Sequence, residues 1–77
     1  MGLSDELQVA IENGLQDAEV ALVLEGNKLL VEVVSPEFSG LSRVQRSKRV
    51  YQILDDYIRS GTLHAVTIRA RAPGENG

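Results

Sequence analysis

Hydrophobic and polar positions along the chain change their spacing several times, and each spacing predicts a different element. Near the start, Leu7, Ala10 and Ile11 repeat at intervals of three and four residues, which is typical of one face of an amphipathic helix. Ser4 is expected to cap this helix, and Gly14 is expected to end it.

Two aliphatic, β-branched runs follow, at residues 19–24 and 28–34. The Gly26-Asn27 pair between them is typical of a tight turn, because glycine and asparagine both tolerate a positive φ. The two runs therefore predict a β-hairpin. Pro36 is expected to end the second strand, because proline cannot donate a hydrogen bond to a sheet.

The second half of the chain contains two predicted helices and one predicted strand. A short helix is expected at residues 41–45 and a longer one at residues 47–60, which Gly61 would end. The longer helix has one wide apolar face, formed by Val50, Tyr51, Leu54, Tyr57 and Ile58. Polar and apolar residues alternate over residues 64–71, which predicts a half-buried strand with His64 on its apolar face.

The predicted element order is therefore αββααβ. A three-stranded sheet with the helices packed on one side would bury all the apolar faces, which is an α+β architecture. Residues 1–71 account for these elements as a single domain, and a chain of 77 residues leaves no room for a second one. Residues 72–77 are rich in glycine and proline and are expected to form a mobile C-terminal tail.

The composition narrows the chemistry that the chain could perform. The absence of cysteine excludes a disulfide framework, a thiolate metal site within the chain and a cysteine nucleophile. No apolar run approaches the ~20 residues that a membrane span needs, and residues 1–6 do not resemble a signal peptide. No spacing of serine, histidine and acidic residues marks a catalytic site. We therefore expect a cytoplasmic protein that is not an enzyme and does not bind membranes.

The formal net charge of −3 hides an asymmetry between the two halves of the chain. Residues 1–40 contain eight acidic residues and one basic residue, whereas residues 41–77 contain seven basic residues and three acidic ones. Six of the bases could form a local basic face: Arg43, Arg46, Lys48, Arg49, Arg69 and Arg71. Such a face could hold nucleic-acid phosphates through the predicted helix pair, as a helix-turn-helix does, or it could meet an acidic partner. No Gly-x-x-Gly loop like that of KH domains lies between the two predicted helices.

A set of short motifs in the second half resembles the signature of the BolA family. The motifs are Phe38-Ser39-Gly40-Leu41-Ser42-Arg43-Val44, Arg46, Val50-Tyr51, Gly61, His64-Ala65-Val66-Thr67-Ile68, Pro73 and Glu75. The Ser-Arg-Val run followed by Val-Tyr looks more like the IbaG branch of the family than like BolA itself. The resemblance covers essentially the whole chain from the first helix onward. It implies an αββααβ fold, which is similar to a class II KH domain.

The same resemblance implies a function. Many family members bind monothiol (CGFS-type) glutaredoxins. The two proteins can share a [2Fe–2S] cluster held by the glutaredoxin cysteine, glutathione and a histidine at the start of the last BolA strand, which corresponds to His64. An imidazole nitrogen can replace a thiolate on one iron, as in Rieske centres. The family thus implies a non-enzymatic glutaredoxin partner in cluster trafficking or iron homeostasis, with the basic residues helping to dock the partner.

The chain departs from the family pattern at the second cluster ligand. Members often have a histidine or cysteine in the hairpin loop, where this chain has Asn27 and Lys28, and His64 is its only histidine. Three interpretations therefore stay open: a cluster partner with one ligand, a nucleic-acid-binding transcriptional regulator, and an adaptor that uses neither. From the residues alone, His64 could also be a packing residue. The sequence is compatible with a monomer or a homodimer.

Overall fold

The computed structural model describes residues 2–75. The helices and strands have these bounds: α1 Leu3–Gly14, β1 Glu19–Glu25, β2 Lys28–Val34, α2 Arg43–Arg59 and β3 Ala65–Arg71. A short 3₁₀ turn, Pro36–Phe38, follows β2. In this part of the chain, no helix is long and apolar enough to cross a membrane.

The three strands form one mixed sheet in the order β1–β2–β3. Strands β1 and β2 pair antiparallel, as predicted, and Gly26 takes a φ of +59° in the turn between them. Strand β3 pairs parallel with β2 and forms the other edge of the sheet. Helix α1 packs on β1, α2 packs on β3, and the two helices also contact each other. The α+β architecture with helices on one side of the sheet is confirmed.

The core lies between the helices and one face of the sheet. Helix α1 contributes Leu7 and Ile11, and α2 contributes Val50 and Leu54, all of them completely buried. Burial of one such side chain stabilises a fold by ~1.5–3 kcal/mol. Tyr51, predicted on the same apolar face of α2, is instead 42% exposed, because its position on the helix lies beside the edge of the sheet rather than over it.

The short helix predicted at residues 41–45 does not form. The Gln45 N–H donates to Ser42 Oγ at 3.2 Å, and the Ser42 N–H donates to Gln45 Oε1 at 2.9 Å. This reciprocal capping box starts one continuous helix at Arg43. Over residues 36–59 the structure therefore contains a 3₁₀ turn and a single helix, and the predicted helix-turn-helix pair is wrong.

Helix α1 also differs from its prediction at both ends. Its N-cap is Gly2, and Ser4 lies inside the first turn. The helix ends at Gly14, but the chain continues in an extended conformation at Leu15 rather than through a left-handed glycine. Gly14 has another role, because a Cβ added there would lie 2.7 Å from Ile53 Cδ1 of α2. Glycine at this position lets the two helices approach closely.

The packed region extends past Arg71, where the domain was predicted to end. Ala72 is 5% exposed, its N–H donates to Glu75 Oε1 at 3.0 Å, and the Glu75 N–H donates to the Ala72 carbonyl at 3.2 Å. Residues 72–75 thus form a hydrogen-bonded turn rather than the start of a free tail. The remainder of the predicted tail, Asn76 and Gly77, lies outside the described residues.

Candidate functional site

His64 lies in a bend immediately before β3, beside the hairpin turn. Its backbone N–H donates to the Asn27 carbonyl at 2.7 Å, and the Ala65 N–H donates to the same carbonyl at 3.3 Å. On the other side, Leu63 is buried, and its N–H donates to the Tyr57 carbonyl at 3.0 Å. The backbone of His64 is therefore held between the hairpin and the end of α2.

We call His64 together with residues 26–28 the His64 corner. Within it the histidine is exposed to solvent. The prediction that His64 lies on the half-buried face of the last strand is wrong, because β3 begins only at Ala65 and His64 lies in the bend before it, where the strand's alternation of faces does not apply. A core-packing role for His64 loses its support. An exposed imidazole on an anchored backbone is suited to reach a metal that another molecule holds.

The donor set of the His64 corner does not suit a metal site made by this chain alone. Within residues 2–75, no group of three or more histidine or acidic side chains is arranged to hold a metal ion. Beside His64, the corner offers the amide of Asn27 and the ammonium of Lys28, and neither is a usual iron–sulfur ligand. The residues present fit a [2Fe–2S] cluster only as one ligand, with the other ligands supplied by partner molecules.

Arg46, predicted to be a docking residue, holds the fold together instead. Its Nε donates to the Leu41 carbonyl at 3.0 Å, and its guanidinium pairs with both carboxylate oxygens of Glu75, at 2.6 and 2.9 Å. These bonds fix the C-terminal turn against the start of α2. The Arg46 guanidinium, helped by the Ala72 N–H, lowers the pKa of Glu75 to about 2. The Glu75 carboxylate in turn raises the pKa of Arg46.

Arg49 has a similar internal role one turn further along α2. Its Nε donates to Glu37 Oε1 at 3.0 Å, and its Nη2 donates to the same oxygen. The second carboxylate oxygen of Glu37 accepts the Gln16 N–H at 3.0 Å. Arg49, followed by this backbone N–H, holds the pKa of Glu37 below its usual value. The pair connects α2 to the 3₁₀ turn and to the segment after α1.

The other four predicted docking residues are exposed. Arg43 and Lys48 lie in the first turns of α2, and Arg69 and Arg71 lie on the face of β3 that the helices leave open. Arg69 is 3.8 Å from Glu32. The other three make no ion pair with any residue in the 2–75 range. The structure thus reduces the predicted six-residue basic face to these four.

Two positions that shape these sites were not identified from the sequence. Asn27 anchors His64 through its main-chain carbonyl, so its side chain carries no signal of that role. Ser35 is completely buried, where its Oγ donates to the Gln16 carbonyl at 2.6 Å and accepts the Glu37 N–H at 3.2 Å. The only available signal for Ser35 is its position before Pro36, which is typical of the cap of a 3₁₀ turn.

These features define a small α+β domain that has a mixed three-stranded sheet and one exposed histidine before its last strand. The family model described as BolA-like protein matches residues 5–75. The chain is 36% identical over 72 residues to the acid stress protein IbaG of Escherichia coli K12, covering 94% of this chain and 86% of the relative. This protein belongs to the BolA family, as its motifs predicted.

Solved structures agree with this assignment. The BolA domain of SufE1 from Arabidopsis thaliana superposes with a TM-score of 0.80 at 29% identity, over 99% of both chains. BolA1 from the same plant gives a TM-score of 0.87 at 23% identity, over 100% of this chain and 99% of that one. At the lower identity, the likeness shows a shared fold.

Proposed function

We propose that this protein is a non-enzymatic partner of a monothiol glutaredoxin in [2Fe–2S] cluster trafficking or iron homeostasis. His64 would supply one ligand to a cluster shared with the glutaredoxin cysteine and glutathione. The observation that carries the proposal is the exposed imidazole of a cysteine-free chain on a backbone anchored from both sides. Membership of the BolA family supports it. We place this activity in the cytoplasm, where glutathione keeps thiols reduced.

Ligation by a single imidazole makes the shared cluster sensitive to acid. Only a neutral imidazole has a lone pair for iron, so protonation of His64 competes with cluster binding. The shared cluster should therefore weaken as pH falls. One relative is called an acid stress protein, and this competition gives a physical reason for a protein of this kind to respond to acid.

An anaerobic titration tests the proposal. The protein is added to a monothiol glutaredoxin loaded with a [2Fe–2S] cluster and glutathione, and visible absorption and circular dichroism are recorded. We expect a new spectrum that saturates at a fixed ratio of the two proteins. His64→Ala should abolish this spectrum, and His64→Cys should restore a shared cluster with shifted bands, because thiolate is also an iron ligand. The control Thr67→Ala changes an exposed residue of β3 and should behave as the wild type.

An unchanged spectrum with His64→Ala would contradict the ligand role. Loss of the spectrum in the Thr67→Ala control would also count against it, because the effect would then not be specific to the imidazole.

Nucleic-acid binding is a second candidate function, and the four exposed bases are the observation that favours it. It has less support than the glutaredoxin proposal, because Arg46 and Arg49 are engaged in ion pairs and the helix pair does not form. If it occurs, binding of duplex DNA should fall steeply with salt and should require Arg43 and Lys48. Absence of binding at low salt would exclude this candidate.

A further inference from the structure

Strand β3 is an edge strand, and the N–H and C=O groups of every second residue point away from the sheet. The Ser35 N–H donates to the Arg71 carbonyl, and the Ala65 N–H donates to the Asn27 carbonyl, so odd-numbered residues of β3 bond toward β2. In a parallel pair, the N–H and C=O of one residue point to the same side, and the side alternates along the strand. The residues that turn toward the free edge are Val66, Ile68 and Ala70.

Side chains of α2 make only two hydrogen bonds to this edge, and both are long. Tyr51 Oη donates to the Val66 carbonyl at 3.3 Å, and Arg46 Nη1 donates to the Ala70 carbonyl at 3.4 Å. Both distances exceed the ~2.7–3.0 Å that is commonest for such hydrogen bonds. Between these two carbonyls lies Ile68. Within the described part of the chain, its N–H donates to no side chain and its C=O accepts from none. The edge therefore keeps an open position centred on Ile68.

The surface beside this edge is cationic. A concavity of about 630 Å³ crosses one end of the sheet, from β1 to the C-terminal half of β3, and reaches the start of α2; its border at β3 and α2 includes Arg43, Arg69 and Arg71. Two carboxylates also border the concavity: Glu32 on β2 lies 3.8 Å from Arg69, and Glu19 lies on β1, the strand furthest from the free edge.

We propose that the free edge of β3 binds an extended acidic segment of a partner protein, which adds to the sheet as a fourth strand. The incoming backbone would pair with the N–H and C=O groups that turn outward around Ile68. Its carboxylates would lie near Arg43, Arg69 and Arg71, where no ion pair in the described residues satisfies Arg43 or Arg71. The complementary charge is what selects an acidic occupant.

A second copy of this chain is a poorer occupant. Pairing of two β3 edges would place the same arginines on both sides of the interface, and like charges close together across strands are destabilising. The site is also distinct from the His64 corner, which lies at the start of β3, whereas the open position is at Ile68. The proposal therefore stands independently of the glutaredoxin proposal.

Amide hydrogen exchange measured by NMR tests this docking mode residue by residue. The probe is a blocked seven-residue peptide of alternating glutamate and valine. In the free protein, the Thr67 and Arg69 amides should exchange slowly because they bond to β2, and the Val66 and Ile68 amides should exchange fast. Saturating peptide should slow exchange at Val66 and Ile68 by about tenfold or more and leave the other two unchanged.

Matched changes of charge test the source of the affinity. Reversing both strand charges, Arg69→Glu with Arg71→Glu, should weaken peptide binding by about tenfold or more. The control Arg59→Glu reverses an exposed charge at the far end of α2 and should leave affinity unchanged. A peptide with lysine in place of glutamate should not bind the wild type.

Three results would overturn the proposal. The first is equal binding of the glutamate and lysine peptides. The second is peptide binding that leaves the Val66 and Ile68 amides fast. The third is protection of these amides from exchange in the free protein, with exchange becoming slower as the protein concentration rises. That result would assign the edge to a second copy of the chain.

Discussion

The sequence predicted functional roles both for His64 and for the arginines of α2, but the structure shows that the side chains of the two regions are held differently. At the His64 corner the backbone is bonded to the hairpin, while the imidazole is exposed and in reach of a partner. At Arg46 and Arg49 the side chains themselves are bonded, to Glu75 and Glu37. A conspicuous residue in a family motif can thus either leave its side chain exposed or use it to hold the fold, and its hydrogen bonds distinguish the two.

The largest effect on stability that this comparison predicts is at Arg46. Arg46→Met keeps most of the apolar stem but leaves the Leu41 carbonyl without its side-chain donor and leaves the Glu75 carboxylate with only the Ala72 N–H. We expect the melting temperature, followed by circular dichroism, to fall by several degrees. Arg43→Met, at an exposed position one turn earlier, should leave it unchanged. Equal melting temperatures for the two variants would contradict an internal role for Arg46.

A smaller loss is expected at the second ion pair. Glu37→Gln removes the charge that Arg49 faces but keeps an oxygen that can accept the Gln16 N–H. Because both side chains are partly exposed, the expected cost is only about 1 kcal/mol of unfolding free energy, measured by urea denaturation. Glu25→Gln, on the exposed end of β1, is the matched control and should have no effect. A loss of the same size in the control would show that the effect of Glu37→Gln does not come from its ion pair with Arg49.

The ion pairs also predict how stability depends on pH. Glu75 has a pKa of about 2 in the fold against a usual value of 4.5, so its pair stabilises the fold above pH 4.5 and is lost as pH falls toward 2. The difference in melting temperature between wild type and Glu75→Gln should therefore be largest near neutral pH and vanish near pH 2. Because Glu75 is exposed, high salt should shrink it. A difference that is constant with pH would show that the charge is not its source.

The smallest effect on stability is expected at His64 itself. His64→Ala keeps the backbone N–H that bonds to Asn27 and removes only an exposed side chain, so unfolding free energy should change by less than ~0.5 kcal/mol. The same variant should lose the shared cluster. A loss of more than ~1 kcal/mol in urea denaturation would instead restore the packing role for His64.

Local signals in the sequence predicted most of the fold. The alternation of residues 64–71 and the Gly26-Asn27 turn predicted β3 and the hairpin correctly, because period and turn chemistry act over a few residues. The error at residues 41–45 was also local, because Ser42 and Gln45 have the spacing of a capping box and indicate a helix start at Arg43.

The roles of the candidate site residues depended on contacts that no local signal reveals. Arg46 and Glu75 are 29 positions apart, and Ser35 and Gln16 are 19 apart, so neither pairing can be derived from spacing. The exposure of His64 follows from where the strand begins relative to the bend before it. Family motifs single out candidate residues, but only the three-dimensional contacts show which of their side chains are still available.

The most direct test of the central claim is nitrogen hyperfine spectroscopy on the reduced shared cluster. His64 is the only histidine in the chain, so labelling this protein with ¹⁵N-histidine and mixing it with unlabelled glutaredoxin marks a single imidazole. The account predicts a ¹⁵N coupling of the size expected for a nitrogen bonded directly to iron, and its loss in His64→Cys. A shared cluster that forms without any ¹⁵N coupling would contradict ligation by His64.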